Sequence, residues 1–342
     1  MKTLVLGGYG NFGARICRAL NGDASIQLLT GGRDRIRAKA LANAIGNGAQ
    51  GIAIDLTAPD LEQVLRKLQV ELVIHTAGPF QQQDYEVARA AAAAGAHYID
   101  LADGRRFVCE FSGAMEAFFA AAGRTAISGA STVPALSSAV VNHLCKGWQA
   151  IDAIDTCIAP AQTAPRGQAT LAAVLGYCGE SLKVWDGGQW KSWRGWARPE
   201  TVRFARLRQR LGALCDIPDL ELFPAYYGVT QRVMFRAALE VGVAQRAFAV
   251  LATLRAWRLI RRPARLATVL NYAARALDPL GSALGGMVVR VSGIDAAGRP
   301  AQRSWHIAAD HDHGPEIPCM AAILLARRLA SGQPLQVGAF AC

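Results

Sequence analysis

Short apolar runs alternate with helix-length amphipathic stretches through the first third of the chain, a rhythm that predicts the βαβ units of a parallel sheet. Strands are expected at Thr3 to Leu6, Ile26 to Leu29, Ile52 to Ile54, Leu72 to His75, Tyr98 to Leu101 and Thr125 to Ser128. The first intervening helix carries Phe12, Ile16 and Leu20 on one face. The second runs from Asp34 to Ile45 and stops at Gly46, and Pro59 starts the third from a favoured first-turn position. Asp84 to Ala94 ends at Gly95, and Phe107 to Ala122 completes the set. Six strands joined in this way match the doubly wound order 3-2-1-4-5-6 of a Rossmann sheet.

After Pro134 the rhythm changes. A helix to about Cys145 leads to an apolar strand at Ile154 to Ala159 and a helix from about Thr170 to Tyr177. Lys183 to Trp185 and Trp190 to Trp193 flank Asp186-Gly187-Gly188, a hairpin signal, and Met287 to Val291 and Arg303 to Ala308 flank a turn at Ala297-Gly298. Hairpin-joined strands imply a mixed or antiparallel sheet. The fold class expected is therefore α/β: a doubly wound Rossmann domain over residues 1–132, then an α+β substrate or dimerisation domain over 133–307. Residues 308–342, which include an amphipathic helix from Ile317 to Leu329, are expected to pack back on the first domain.

Composition narrows the partners. A net charge of +11 admits a phosphate-bearing ligand, a membrane surface or nucleic acid as well as a merely solvated basic surface. No zinc-finger spacing, RNP-like aromatic motif or basic-region heptad is present, so nucleic acid is not expected. The eight cysteines form no C-x-x-C pair, and several, such as Cys17, Cys145 and Cys157, sit in apolar patterns. They read as core residues of a reducing compartment. The strand pattern begins at Thr3 without a signal-peptide pattern, so a cytoplasmic location is expected. Residues 247–277 stand apart. Val250, Leu254 and Trp257 fall on one helical face and Arg255, Arg258 and Arg262 on another, before Pro263 breaks the helix. Such a basic amphipathic segment can lie on a membrane or serve as an ordinary surface or interface helix.

The chemistry begins at Gly8-Tyr9-Gly10-Asn11-Phe12-Gly13. A lone G-x-G-x-x-G is weak evidence, but this one follows an apolar strand, opens a helix and precedes a second strand, the context of a dinucleotide site. Gly8 is expected to make the tight turn, Gly10 to admit the pyrophosphate and Gly13 to let the helix pack on the sheet. The second strand ends Leu29-Thr30-Gly31-Gly32-Arg33-Asp34, without the acid that an NAD site places there for the ribose. Arg33 stands where a guanidinium grips a 2′-phosphate, Thr30 adds a hydroxyl, and Asp34 is read as a helix cap, so NADP is expected over NAD. Asp55 is placed to meet the adenine, and Thr76-Ala77-Gly78-Pro79-Phe80 to line the ribose and nicotinamide.

Five stretches together resemble the saccharopine dehydrogenase-like oxidoreductase family: the glycine loop, residues 75–80, residues 95–100, Gly129-Ala130-Ser131-Thr132-Val133-Pro134, and Asp312 through Pro318. The resemblance implies a Rossmann domain, a second α+β domain with a substrate cleft between them, and a homodimer. It leaves the substrate open. For proton transfer the candidates are Asp100, Asp103, Ser131 and His313, with Tyr98 and His311 as further groups from the same loops. Asp310-His311-Asp312-His313 has no third ligand spacing, so no metal is expected. The reading is an NADP-dependent oxidoreductase acting on a C–N or C–O bond of a small or lipid-like molecule. The alternative is a non-catalytic dinucleotide- or lipid-binding protein at a membrane surface.

Overall fold

The computed structural model describes residues 1–165, 168–260 and 267–342. The chain divides into two compact units, one of residues 1–136 and 316–342 and one of residues 137–315.

The first unit is built on a wholly parallel sheet of β1 (Lys2–Leu6), β2 (Gln27–Gly32), β3 (Gln50–Ala53), β4 (Leu72–His75), β5 (His97–Asp100), β6 (Thr125–Ser128) and β15 (Gly338–Ala341). Its order, β15-β6-β5-β4-β1-β2-β3, contains the anticipated 3-2-1-4-5-6 path and adds β15 outside β6. The central strands are apolar on both faces because helices cover both: Leu4, Val5, Leu6, Leu72, Val73 and Ile74 are fully buried. These helices are α1 (Asn11–Leu20), α2 (Arg35–Ile45), α3 (Leu61–Lys67), α4 (Glu86–Ala93), α5 (Arg105–Ala122) and α11 (Met320–Ala330). Phe107, Phe111, Met115 and Phe119 recur at the helical repeat of α5 and are all buried, contributing about 2 kcal/mol each. Gly123, left-handed at φ 61°, ends that helix. Ala322 and Ala326 of α11 are buried against α1, whose Phe12 carbonyl accepts from the Cys319 thiol.

The second unit holds an eight-stranded mixed sheet. Its strands are β7 (Ala150–Ala159), β8 (Ser181–Asp186), β9 (Trp190–Arg194), β10 (Glu200–Val202), β11 (Arg210–Leu214), β12 (Arg232–Ala237), β13 (Gly285–Ile294) and β14 (Pro300–Ala309). The main path is β10-β11-β12-β7-β13-β14, with the β8–β9 hairpin attached to β12. Only β7 and β12 run parallel; the other pairs are antiparallel. Both expected hairpins form. Trp185 and Trp190 pack edge to face at 5.4 Å across the first, and the Asp295 carboxylate closes the second by accepting from the Ala297 and Arg299 amides. The helices of this unit are α6 (Ser137–Leu144), α7 (Gln168–Tyr177), α8 (Asp219–Tyr226), α9 (Gly242–Ala256) and α10 (Ala267–Ala276).

The basic amphipathic reading of 247–277 is revised. Leu251 and Ala252 make the buried face of α9, while Val250 and Trp257 are exposed. Arg255 turns inward, donating to the carbonyls of Gly176 and Cys178 and pairing with Glu180. The apolar and basic faces are thus rotated from the expected ones, because the arginine stem has carbonyls to satisfy. Arg262 and Pro263 lie outside the described residues. Among the described residues no helix is long and apolar enough to cross a membrane.

Candidate cofactor site

The site starts at the end of β1. The left-handed residue of the turn is Gly7 (φ 76°), not Gly8 as the motif suggested. Its carbonyl accepts from the Gly10 amide at 2.8 Å, and a Cβ on Gly13 would lie 2.2 Å from the same oxygen. Gly13 is therefore required by the approach of α1 to the loop. Gly8 instead lies against β2 and donates its amide to Gly31. Gly10 is the residue before α1, and no side chain caps that helix. Its first turn thus presents amide dipoles to an anion rather than to a protein carboxylate.

Thr76, at the end of β4, donates its hydroxyl to Leu6 and Gly7 carbonyls at 2.8 and 3.3 Å, fastening the next loop to the glycine turn. Gln83 donates to the Ala77 and Pro79 carbonyls across the cis Gly78–Pro79 bond. Ala77, Gly78 and Pro79 are thereby held at the strand ends as expected. Phe80 is not available as expected. Its ring is buried, 4.9 Å from His75 and 5.4 Å from Phe107. Thr30 is corrected in the same way: its hydroxyl is fully buried and donates to the Ala38 carbonyl of α2 at 2.9 Å, so it offers nothing to a ribose.

At the ends of β2 and β3 the acids accept from their own loops. Asp34 caps α2, accepting from the Ile36 and Arg37 amides at 2.9 and 3.0 Å. Asp55, exposed, accepts from the Thr57 amide and hydroxyl, which hold its carboxyl below the usual range, with Arg33 lowering it further. Arg33 is exposed and forms no ion pair among the described residues. Sequence reasoning missed Arg37, whose guanidinium lies 4.6 Å above the Tyr9 ring. The basic spacing of Arg33 and Arg37 was the one available signal.

The proton-transfer candidates separate by burial. Asp100 is fully buried and accepts from Ala102 N, Ser128 Oγ and Gly129 N at 2.9, 3.0 and 2.8 Å. Burial pushes its carboxyl up to about 6 against those bonds. It ties β5 to β6 and is a structural carboxylate, which corrects its catalytic reading. Tyr98 is likewise core, with its hydroxyl 3.0 Å from His75 Nδ1. Burial draws His75 down to about 4, so that ring is neutral. Asp103, partly accessible, accepts from Gln81 Nε2 at 3.1 Å, and desolvation raises it above the ordinary carboxylate range. Ser131 is half-buried in the turn after β6, its amide on the Gly129 carbonyl. His313 belongs to the second unit and is exposed there.

These strand-end loops have the form of a dinucleotide site, and comparison with known proteins decides its kind. Residues 3–142 match the family model of the saccharopine dehydrogenase NADP binding domain. The matched residues lie almost wholly within the first unit, and the resemblance extends over less than half of the chain. The solved structure of apo saccharopine dehydrogenase (L-Glu forming) from Saccharomyces cerevisiae is 13% identical, with a TM-score of 0.69 over 99% of this chain and 93% of that one. That likeness is one of fold. An engineered D-amino acid dehydrogenase bound to NADP+ is 14% identical at a TM-score of 0.49, over 100% of this chain and 92% of that one. No curated protein matches the chain.

Proposed function

We propose that this saccharopine dehydrogenase-like domain binds NADP(H) through Gly8, Tyr9, Gly10, Asn11, Phe12 and Gly13 at the pyrophosphate and Arg33 at the 2′-phosphate. Asp55 borders the adenine, and Thr76, Ala77, Gly78 and Pro79 border the nicotinamide half. The observation that carries this reading is the end of β2, where Asp34 is consumed as a helix cap while Arg33 stays exposed beside it. Titration of the protein with NADPH and NADH tests it. At least tenfold tighter NADPH binding is expected, and equal affinities would refute the assignment of Arg33.

The reaction in this reading moves a hydride between the nicotinamide and the carbon of a C–N or C–O bond, with a proton passing to or from the heteroatom. Asp103 is the preferred proton donor, since desolvation favours its protonated form and Gln81 orients it. Ser131 and His313 remain further candidates for contacts to a small or lipid-like substrate taken by the second unit. A panel of imines, keto acids and long-chain ketones offered with NADPH is expected to include one that is reduced, with Asp103→Asn slowing turnover about a hundredfold at unchanged NADPH affinity. No turnover on any member would favour a dinucleotide-binding protein without catalysis.

Two coarser features join this reading. The family resemblance supports a cytoplasmic homodimer, which light scattering of the purified protein would measure as twice the chain mass. Exposed Val250, Trp257 and Leu259 with the cation Arg258, and Val269 and Tyr272 on α10, support peripheral contact with an anionic membrane. Sedimentation with anionic vesicles tests the latter, and absence of binding at low salt would remove it.

A further inference from the structure

The end of β2 carries more than Arg33. Tyr9, the second residue of the glycine loop, makes three contacts with the β2–α2 segment. Its hydroxyl accepts from the Asp34 amide at 3.0 Å. Its ring lies over Gly32, where an added Cβ would stand 2.3 Å from the ring edge. The Arg37 guanidinium lies over the ring, 4.6 Å from the centroid. The ring thus meets a glycine that has left it room and a cation that covers it. Arg37 is exposed and, like Arg33, forms no ion pair among the described residues. The nearest acid in sequence, Asp34, has its Oδ1 on the Ile36 and Arg37 amides.

An exposed arginine without a carboxylate partner ordinarily samples many rotamers, and that freedom is lost on binding a phosphate. A guanidinium stacked on an aromatic face has already given up part of it. We propose that Tyr9 selects the phosphorylated cofactor by holding Arg37 as a second guanidinium, beside Arg33, on the 2′-phosphate of NADP. The proposal rests on the NADP reading of this site. Its new content is the coupling: the loop that receives the pyrophosphate also fixes the geometry of the residue that receives the 2′-phosphate. Tyr9 is a specificity-determining positioning residue, and Arg37 touches the ligand. The asymmetry expected of such a device is plain, because NADH presents only a 2′-hydroxyl where NADPH presents a dianion.

Equilibrium titrations of NADPH, NADH and 2′-AMP against the full chain and four variants test the coupling. Arg37→Ala is expected to weaken NADPH and 2′-AMP about tenfold while NADH changes less than about twofold. Tyr9→Ala should narrow the NADPH-to-NADH ratio about as far as Arg37→Ala does, whatever it costs both cofactors at the pyrophosphate, and Tyr9→Phe, which keeps the ring, should retain most of the preference. Gly32→Ala, which displaces the ring without altering Tyr9 or Arg37, should also narrow the NADPH-to-NADH ratio. Equal weakening of NADPH and NADH by Arg37→Ala, or no weakening at all, would overturn the proposal. The underlying reading fails separately: the unaltered protein would then bind NADPH no better than NADH. A preference abolished by Arg33→Ala but untouched by the Tyr9, Gly32 and Arg37 variants would leave that reading standing and remove this one.

Discussion

The carboxyl ends of β4 and β5 and the carboxyl end of β2 flank the same glycine turn, yet their polar residues are put to opposite use. At β4 and β5, His75 and Tyr98 are buried against the rings of Phe80 and Phe111, and the buried Asp100 collects three donors. Burial holds His75 uncharged and pushes Asp100 up to about 6. At β2, Arg33, Asp34 and Arg37 are exposed, Asp34 caps the helix, and neither guanidinium forms an ion pair among the described residues. Equivalent positions in a doubly wound sheet thus become scaffold or stay available to a ligand according to whether their polar atoms are already satisfied.

The largest expected consequence lies on the buried side. Asp100→Ala strands two amides and a hydroxyl in the core and should cost about 4 kcal/mol in denaturant unfolding, with the NADPH-to-NADH ratio preserved in the protein that remains folded. A loss under about 1 kcal/mol would mean that the carboxylate is not scaffold.

A second buried acid extends the contrast into the other unit. Asp219, in α8, accepts from Ser137 Oγ at 2.6 Å, and its second oxygen is buried without a hydrogen-bond partner among the described residues. Burial raises its carboxyl to about 7 from 3.8. A raised acid binds its proton more tightly in the folded chain. Its contribution is therefore most favourable below the unfolded value and is lost as pH climbs toward about 7. Asp219→Asn should match the parent near pH 4 and exceed it by on the order of 3 kcal/mol at pH 8. Parallel stability curves for the two proteins across that range would contradict the burial argument.

On the exposed side the effects move from stability to binding. Arg33→Ala should leave unfolding unchanged within about 0.5 kcal/mol and raise the NADPH dissociation constant about thirtyfold, close to 2 kcal/mol. A stability loss without an affinity loss would place Arg33 with the scaffold. The smallest effect belongs to an exposed pair that is neither scaffold nor ligand contact. Breaking Arg66–Glu62 on α3 with Glu62→Ala, which leaves the Arg66 bond to the Ala93 carbonyl in place, should change stability by less than about 0.5 kcal/mol, measured by thermal unfolding at low salt.

The first unit was legible in the sequence because its strands are buried on both faces and its loops carry glycines at fixed offsets. The second was harder for local reasons. Arg232-Val-Met-Phe-Arg-Ala is a strand whose arginines read as solvent positions, but they pair with Asp155 of the neighbouring strand β7. Pro224 sits inside α8 and reads as a breaker. Gly338–Ala341 has no β-branched residue and becomes a strand only through the edge of β6. At the candidate site, Arg33 is suggested by the motif spacing, whereas the placement of Arg37 depends on a ring supplied from Tyr9. Thr30 was misread because spacing along a strand does not say whether a hydroxyl faces the ligand or, as here, the Ala38 carbonyl.

The pairing of β15 with β6 sets a timetable for synthesis. A ribosome releases Thr125–Ser128 roughly two hundred residues before the strand that covers it. Throughout translation of the second unit, the nascent cofactor domain carries an open parallel edge, the kind of surface that recruits stray strands. Any message truncated within the second unit would deliver a glycine loop and Arg33 intact on a sheet that can never be finished. Loss of the late segment should therefore be felt as insolubility of the nucleotide-binding unit before it is felt as a defect in substrate handling.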